Sequence, residues 1–398
     1  MTNSNVLRRR ARLLVAIAAA AFLIAPGPAN AHEGLHGGAR EKTLSGAEAA
    51  FPVLIVDGDV ELRFDDFFAS DAWENRRRDV NVHSEVLFGF HALPGLSLQG
   101  KLKAEAVREP KPGRDRFLSG TGVALEEFYV DYDSRYFGLY AGKFDPAFGL
   151  AWRKFGEFLK EGFAEEYELD EMIGIGGALK IDLGAAGRHE INAAMFFLDT
   201  SFLHRSLLAQ PGAGEERAER ISHLRRRDGG LANTGALNSF AIGVDGGDFD
   251  FLPGLSYHIG WRHLHRGLDQ LHSEDALAVG LIYDVDFNGV GITAFAEIVR
   301  FWHFEGESGA GLALSVGLSA QYQRFTWQGG VTLRRAQVAV IDGPDVHDWM
   351  AGMQLVYDLG GNFGLGIGYR HQRVERVDTD QLRVFLAYQF GIKQSLGK

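Results

Sequence analysis

The chain has 398 residues, no cysteine, 51 glycines, 12% aromatic residues and a formal net charge of −11. The missing cysteines exclude a disulfide scaffold, a thiolate metal site and a cysteine nucleophile, and the acidic balance makes nucleic acid a poor partner. A mean hydropathy of −0.10, with no run approaching ~20 apolar residues after the N-terminus, excludes a bundle of membrane helices. Length alone suggests two or three domains. Glycine at about twice its usual share, spread among short apolar segments, argues instead for one repetitive unit.

In chain order, the first element is an export signal. Arg8, Arg9, Arg10 and Arg12 precede an uncharged run from Leu13 to Ala25, and the stretch from Pro26 ends in Ala29-Asn30-Ala31. A basic region, an apolar region and a small-x-small site read as a cleaved signal peptide over 1–31. A membrane anchor would be longer and would not carry Pro26 and Pro28 at its flank. The mature chain is expected to start at His32 and, having lost four arginines, to carry −15. No cysteine follows the site, so a lipoprotein is excluded.

From there the chain repeats a pattern rather than a sequence. From Phe363, one face reads Phe363, Leu365, Ile367, Tyr369 and the other Gly364, Gly366, Gly368, Arg370. From Leu382, one face reads Leu, Val, Leu, Tyr, Phe and the other Arg383, Phe385, Ala387, Gln389. Period two means strand. Aromatics at the ends of the apolar face suit a lipid-facing surface with interfacial girdles. Sixteen such segments occur: 57–69, 80–91, 96–108, 122–133, 136–148, 171–183, 188–199, 237–251, 255–266, 274–287, 290–303, 310–322, 325–338, 347–358, 363–374 and 380–391.

The connections alternate in length. Short ones are Leu93-Pro94-Gly95, Asp133-Ser134-Arg135, Gly184 to Gly187, Leu252-Pro253-Gly254, Asn288-Gly289, Gln323-Arg324 and Leu359 to Asn362. Longer ones lie between them, the longest running from Thr200 to Leu237. An even strand count with short turns on one side is the layout of an outer-membrane barrel, and a lipid-exposed sheet must close because open edges would face hydrocarbon. The expected fold is therefore all-β: a closed antiparallel transmembrane β-barrel of about 16 strands, with short periplasmic turns and long extracellular loops. Eighteen strands is the alternative, since 200–236 is long enough to hide a hairpin. The expected organisation is a short periplasmic segment at 32–56, the barrel at 57–391 and a periplasmic tail at 392–398.

This layout resembles the bacterial porins across nearly the whole mature chain. Two stretches sharpen it. Leu125-Glu126-Glu127-Phe128-Tyr129-Val130-Asp131-Tyr132, followed by Tyr140-Ala141-Gly142-Lys143-Phe144-Asp145-Pro146-Ala147-Phe148-Gly149, is similar to the E-x-x-Y, G-K-F and P-x-F-G segment of the phosphate-selective and siderophore-type porin superfamily. Tyr388 and Phe390 match the last-strand signal read by the barrel-assembly machinery, although Gly391 to Lys398 follow them. The resemblance implies a homotrimer in outer-membrane lipid, and a third extracellular loop folded into the pore. By strand order that loop is Leu150 to Glu171. It holds Glu157, Glu161, Glu165, Glu166, Glu168, Asp170 and Glu171 against Arg153, Lys154 and Lys160, a local charge of −4.

Alternation points Arg63, Lys101, Lys103, Lys143, Lys180, Arg262, Arg334, Arg370 and Arg383 inward, with Glu61, Glu85, Glu105, Glu127, Glu190, Asp245, Glu297 and Asp358. A basic group facing lipid at the midplane would cost roughly 2–4 kcal/mol, and so many charges need water. The lumen is therefore read as an aqueous channel for small hydrophilic or ionic solutes, with a constriction formed by Glu165, Glu166, Glu168 and Asp170. The alternatives are a siderophore- or metal-related uptake channel, and a structural barrel whose charges pair across strands.

Enzymatic readings fare worse. No His-x-Ser pair of the barrel phospholipase kind occurs, and no Gly-x-Ser-x-Gly elbow. Gly174-Ile175-Gly176-Gly177 lacks the lysine and following helix of a phosphate loop. A TonB-gated transporter needs a plug domain, which 32–56 is too short to supply. Histidines gather near the expected outer rim (His204, His223, His263, His265, His272, His303, His347, His371) and at His32 and His36. No carboxylate or cysteine completes a metal set by spacing, so they read as solvated surface. No enzyme activity, metal or cofactor is expected.

Overall fold

The computed structural model describes residues 51–108, 110–209, 224–338 and 346–396; the expected signal peptide over 1–31, His32, His36 and His223 lie outside them. Sixteen strands form one closed sheet. They are β1 (Val53–Ser70), β2 (Arg77–Leu93), β3 (Leu96–Ala106), β4 (Thr121–Asp133), β5 (Phe137–Phe144), β6 (Met172–Asp182), β7 (Arg188–Leu198) and β8 (Ser239–Gly247), followed by β9 (Leu255–Leu264), β10 (Glu274–Phe287), β11 (Val290–Trp302), β12 (Gly309–Tyr322), β13 (Phe325–Val338), β14 (Val346–Gly360), β15 (Phe363–Val374) and β16 (Val377–Ser395). Each pairs antiparallel with the next, and β16 returns to β1.

The closing seam explains where the sheet begins and ends. Val53 lies opposite Ser395, so β1 starts before the expected Asp57 and β16 runs past the expected Gly391. Each strand lends the other backbone partners that neither has alone. Two further strands of two residues, Arg116–Phe117 and Leu208–Ala209, pair with β2 and β4 from within loops and stay outside the ring. The second is all that the long 200–236 connection contributes to pairing among the described residues, so the barrel has 16 strands and not 18.

The predicted faces are those observed. Leu365, Ile367 and Tyr369 are exposed on β15, while Arg370 on the opposite face is buried; on β16, Val384 and Leu386 are exposed, while Arg383 and Phe385 are buried. In a closed ring the buried, polar face is the inside, and the exposed apolar face must be covered by hydrocarbon. The turn at Asn288-Gly289 places both residues at positive φ (54° and 79°). That is the geometry of a two-residue hairpin turn, which asparagine and glycine adopt readily.

The register shifts near the strand ends at Asp66/Ala69, His91/Leu93 and Asp358/Gly360, and once in mid-wall. The register between β3 and β4 slips by one residue after Lys101, which faces Glu127, so that Leu102 faces Leu125. Glu126 is the extra residue of this bulge, and both Glu126 and Glu127 are buried inside. The prediction that tests the outer face is Ile367→Arg. It should lower the stability of the barrel in phospholipid vesicles by about 2–4 kcal/mol if the site lies near the midplane, read by urea unfolding.

Candidate functional site

The loop after β5 turns into the barrel at Asp145, three residues before the expected strand end at Phe148, and carries two helical turns, α1 (Ala151–Lys154) and α2 (Glu157–Lys160). Its composition drives it inward. Phe148, Leu150, Phe155, Phe158, Leu159, Phe163, Tyr167 and Leu169 are all buried, Phe148 at 0% and Phe158 at 1% exposure. A loop with that much apolar surface needs a wall to cover it.

Inward glycines of the wall make the seat. A Cβ on Gly280 would stand 2.0 Å from Leu150 Cδ2, one on Gly330 2.2 Å from Phe155 Cε1, and one on Gly368 2.7 Å from Phe158 Cδ1. Ala276, Ala278 and Ala313 extend this floor of small residues.

Polar groups then lock the loop. On β11, the Glu297 carboxylate accepts the backbone N–H groups of Leu150 (2.5 Å) and Ala151 (3.1 Å) and the hydroxyl of Tyr167 (2.6 Å). Arg262 donates to the Tyr167 carbonyl at 2.7 Å and to Glu274 at 2.7 Å. Arg334 pairs with Asp348 at 2.5 Å and also with Glu166. Arg370 donates to the carbonyls of Phe158 (3.0 Å) and Glu161 (2.6 Å). Arg383 bridges Asp65 (2.6 Å) and Glu161 (2.8 Å), and Arg63 bridges Glu61 (2.6 Å) and Glu161 (3.1 Å). The same guanidinium groups stack on loop rings: Arg262 over Phe148 at 4.8 Å, Arg334 over Phe163 at 4.6 Å, and Arg370 and Arg383 over Phe158 at 5.1 and 4.9 Å. Burial would raise the Glu161 carboxyl, but the charges of Arg383 and Arg63 bring it down to about 2.

Five predicted pore-lining arginines are therefore committed to one side of the lumen, where acids and loop carbonyls satisfy them. The other side is built by β2 to β4. There Lys101 pairs with Glu126 at 2.9 Å, and Lys103 with Glu105 at 3.2 Å and Glu126 at 3.6 Å. Glu127 is buried in register with Lys101. Of the predicted constriction residues, Glu166 is held by Arg334, and Asp170 is exposed at the loop's end. Glu165 and Glu168 face the lysine side: their charge neighbours include Lys103 and Lys160, and Asp170, Lys160 and Lys101. Both touch the lumen yet are enclosed by the barrel. That burial pushes them up, to about 7 for Glu165 and about 8 for Glu168.

Two predicted lining residues stand elsewhere. Lys143 is enclosed, bonded to Asp199 (3.0 Å), Glu171 (3.3 Å) and the Leu203 carbonyl (3.2 Å). Lys180 sits at a short turn on Asp133 (2.6 Å). At the rim, His263 bonds to Asp275 at 2.9 Å, and His272 stacks on His303 with centroids 4.5 Å apart.

Glu126 is the inner-wall residue that strict alternation misses. Its signal is the Glu126-Glu127 doublet: two adjacent acids on a membrane strand put one of them in lipid unless the strand bulges. The porin-like stretch also gains a local role. Gly142, Lys143, Phe148 and Gly149 build the loop's entrance, with Phe148 under Arg262 and the Gly149 N–H on His258 Nε2 at 3.1 Å.

No protein-family model and no curated protein matches the chain. Solved structures do. OccK1 (OpdK) of Pseudomonas aeruginosa superposes with a TM-score of 0.52 at 10% identity, covering 85% of this chain and 99% of that one. The outer-membrane channel DcaP of Acinetobacter baumannii gives 0.51 at 12% identity, with 86% and 100% covered. OmpT of Vibrio cholerae gives 0.50 at 11%, with 85% and 99%. The fold is that of outer-membrane channels. At such low identity the likeness is one of architecture, and the inner surface is this chain's own.

The loop's grip on the wall is testable. Phe158→Ala removes the ring between Arg370 and Arg383 and should weaken loop docking by about 3–5 kcal/mol. Trypsin should then cut after Lys154 or Lys160 in a barrel that remains folded, while the parent protein resists.

Proposed function

We propose that the protein is an outer-membrane porin, a passive diffusion channel for small hydrophilic or ionic solutes with a weak preference for cations. The observation that carries this is the inward loop, held by arginines from β9 round to β1 and facing the charged wall of β2 to β4. The charged groups of β2 to β4 that face it are ones that water or a polar solute accommodates. No chemical step and no cofactor enters this reading; flux follows the solute gradient. The architecture shared with outer-membrane channels supports it.

The cation preference follows from which charges remain beside the passage. The arginines are answered by Asp65, Glu161, Glu274, Asp348 and loop carbonyls. On the open side, Lys101, Lys103 and Lys160 stand among Glu85, Glu105, Glu126, Glu127, Glu157, Glu165 and Glu168. The balance there is acidic, which argues against phosphate as the solute in spite of the resemblance to phosphate-selective porins. Residues 1–31 as an export signal, assembly by the barrel machinery through Tyr388 and Phe390, and a homotrimer complete the proposal; the OmpT structure is of a trimer form.

The test is the reversal potential in a salt gradient across a planar bilayer. Because Glu165 and Glu168 are raised to about 7 and 8, they are neutral in acid and ionise as pH rises. Cation selectivity should therefore increase from about pH 6 to about pH 9. The double variant Glu165→Gln, Glu168→Gln should flatten that rise. A folded barrel that conducts nothing would favour the structural reading, and anion selectivity throughout would remove the assignment of the passage.

A further inference from the structure

On the open side of the lumen, His83 of β2 projects from the face that also carries Glu85, two residues on. Its ring is buried, at 5% exposure. His83 Nε2 has no hydrogen-bond partner among the described residues, and neither does the buried Oε1 of Glu85. Both point at α2 of the inward loop. His83 Nε2 lies 3.7 Å from Glu157 Oε2 and 3.9 Å from Glu85 Oε1, and all three ligand atoms fall within 4.8 Å of one another. A buried ring nitrogen and a buried carboxylate oxygen, each without a partner, normally leave a fold destabilised.

We propose that His83, Glu85 and Glu157 form a binding site for a divalent transition-metal ion of the Zn²⁺ kind, which clasps the inward loop to β2. Bonds of about 2.0–2.2 Å in a tetrahedron separate ligand atoms by about 3.4 Å. The observed separations to His83 thus need to close by only a few tenths of an ångström. One imidazole nitrogen with two carboxylates suits zinc and its neighbours. Three protein donors are too few for calcium, which takes about 6–8 oxygens. A water or a solute group would complete the fourth position.

The charges around the site set its strength. Lys160 pairs with Glu157 Oε1, leaving Oε2 to face His83. Arg63 Nη2 stands 3.8 Å from that Oε2, and Lys101 Nζ 4.0 Å from Glu85 Oε1. Both cations have second acids, Glu61 and Glu161 for Arg63 and Glu126 for Lys101. They therefore stay satisfied when the metal takes its share of Glu85 and Glu157, at some loss of affinity.

The experiment is calorimetric titration of Zn²⁺ into the folded, detergent-solubilised protein. A tight phase of one ion per chain is expected, weakened by about tenfold or more in His83→Ala and in the isosteric Glu85→Gln. It should persist in His272→Ala, which alters only a rim histidine. Heat-modifiable electrophoretic mobility confirms that each variant is folded. If Zn²⁺ does not bind, or if folded Glu85→Gln binds as tightly as the parent, the site is refuted. Binding is read without any flux, so a barrel that failed as a channel would still decide it.

Discussion

The inward grip of arginine on the third loop is the interaction on which the rest of the interior depends. Arg262, Arg334, Arg370 and Arg383 each present one face to a loop phenylalanine and their N–H groups to an acid or a carbonyl. A guanidinium suits this double duty because it is planar, weakly hydrated and forked. A lysine at Arg370 would offer a point charge and no plane to stack on Phe158. Lys101 and Lys103 occupy the opposite wall, where salt links to Glu126 suffice.

The division of the wall follows from where small residues stand. Gly280, Gly330 and Gly368 give the loop its seat, and the arginines of β9, β13, β15, β16 and β1 hold it there. A larger inward side chain at any of these positions would meet a loop residue. Glycine-rich strands, which weaken an ordinary sheet, are stabilised here by ring closure and by the rings they receive. Glu297 adds the polar fixing point, satisfying two backbone N–H groups at the loop's first turn and a tyrosine at its end.

Much of this is legible in the sequence. Alternation is a local property, so the faces of β15 and β16, including the inward Arg370 and Arg383, and the short turns could be read without coordinates. The loop between the fifth and sixth strands was also identifiable by counting. Three particulars were not legible. The bulge at Glu126 breaks period two by one residue. The commitment of Glu166 to Arg334 depends on which strand lies across the lumen. The meeting of His83 and Glu85 with Glu157 joins residues more than 70 positions apart.

By itself, then, the sequence determined the all-β class, the even ring of antiparallel strands and the alternating faces of its regular strands. Backbone groups in hydrocarbon must be paired, and a period of two leaves each side chain one face to take. Only the tertiary structure decided which inward charges are spent on holding the loop and which stand on the wall across from it. That choice depends on the height of each residue along its strand, on the stagger between strands and on the path of a loop whose phenylalanines find glycine seats some hundred to two hundred residues downstream. Local pattern carries no record of such distances, because ring closure sets them all at once.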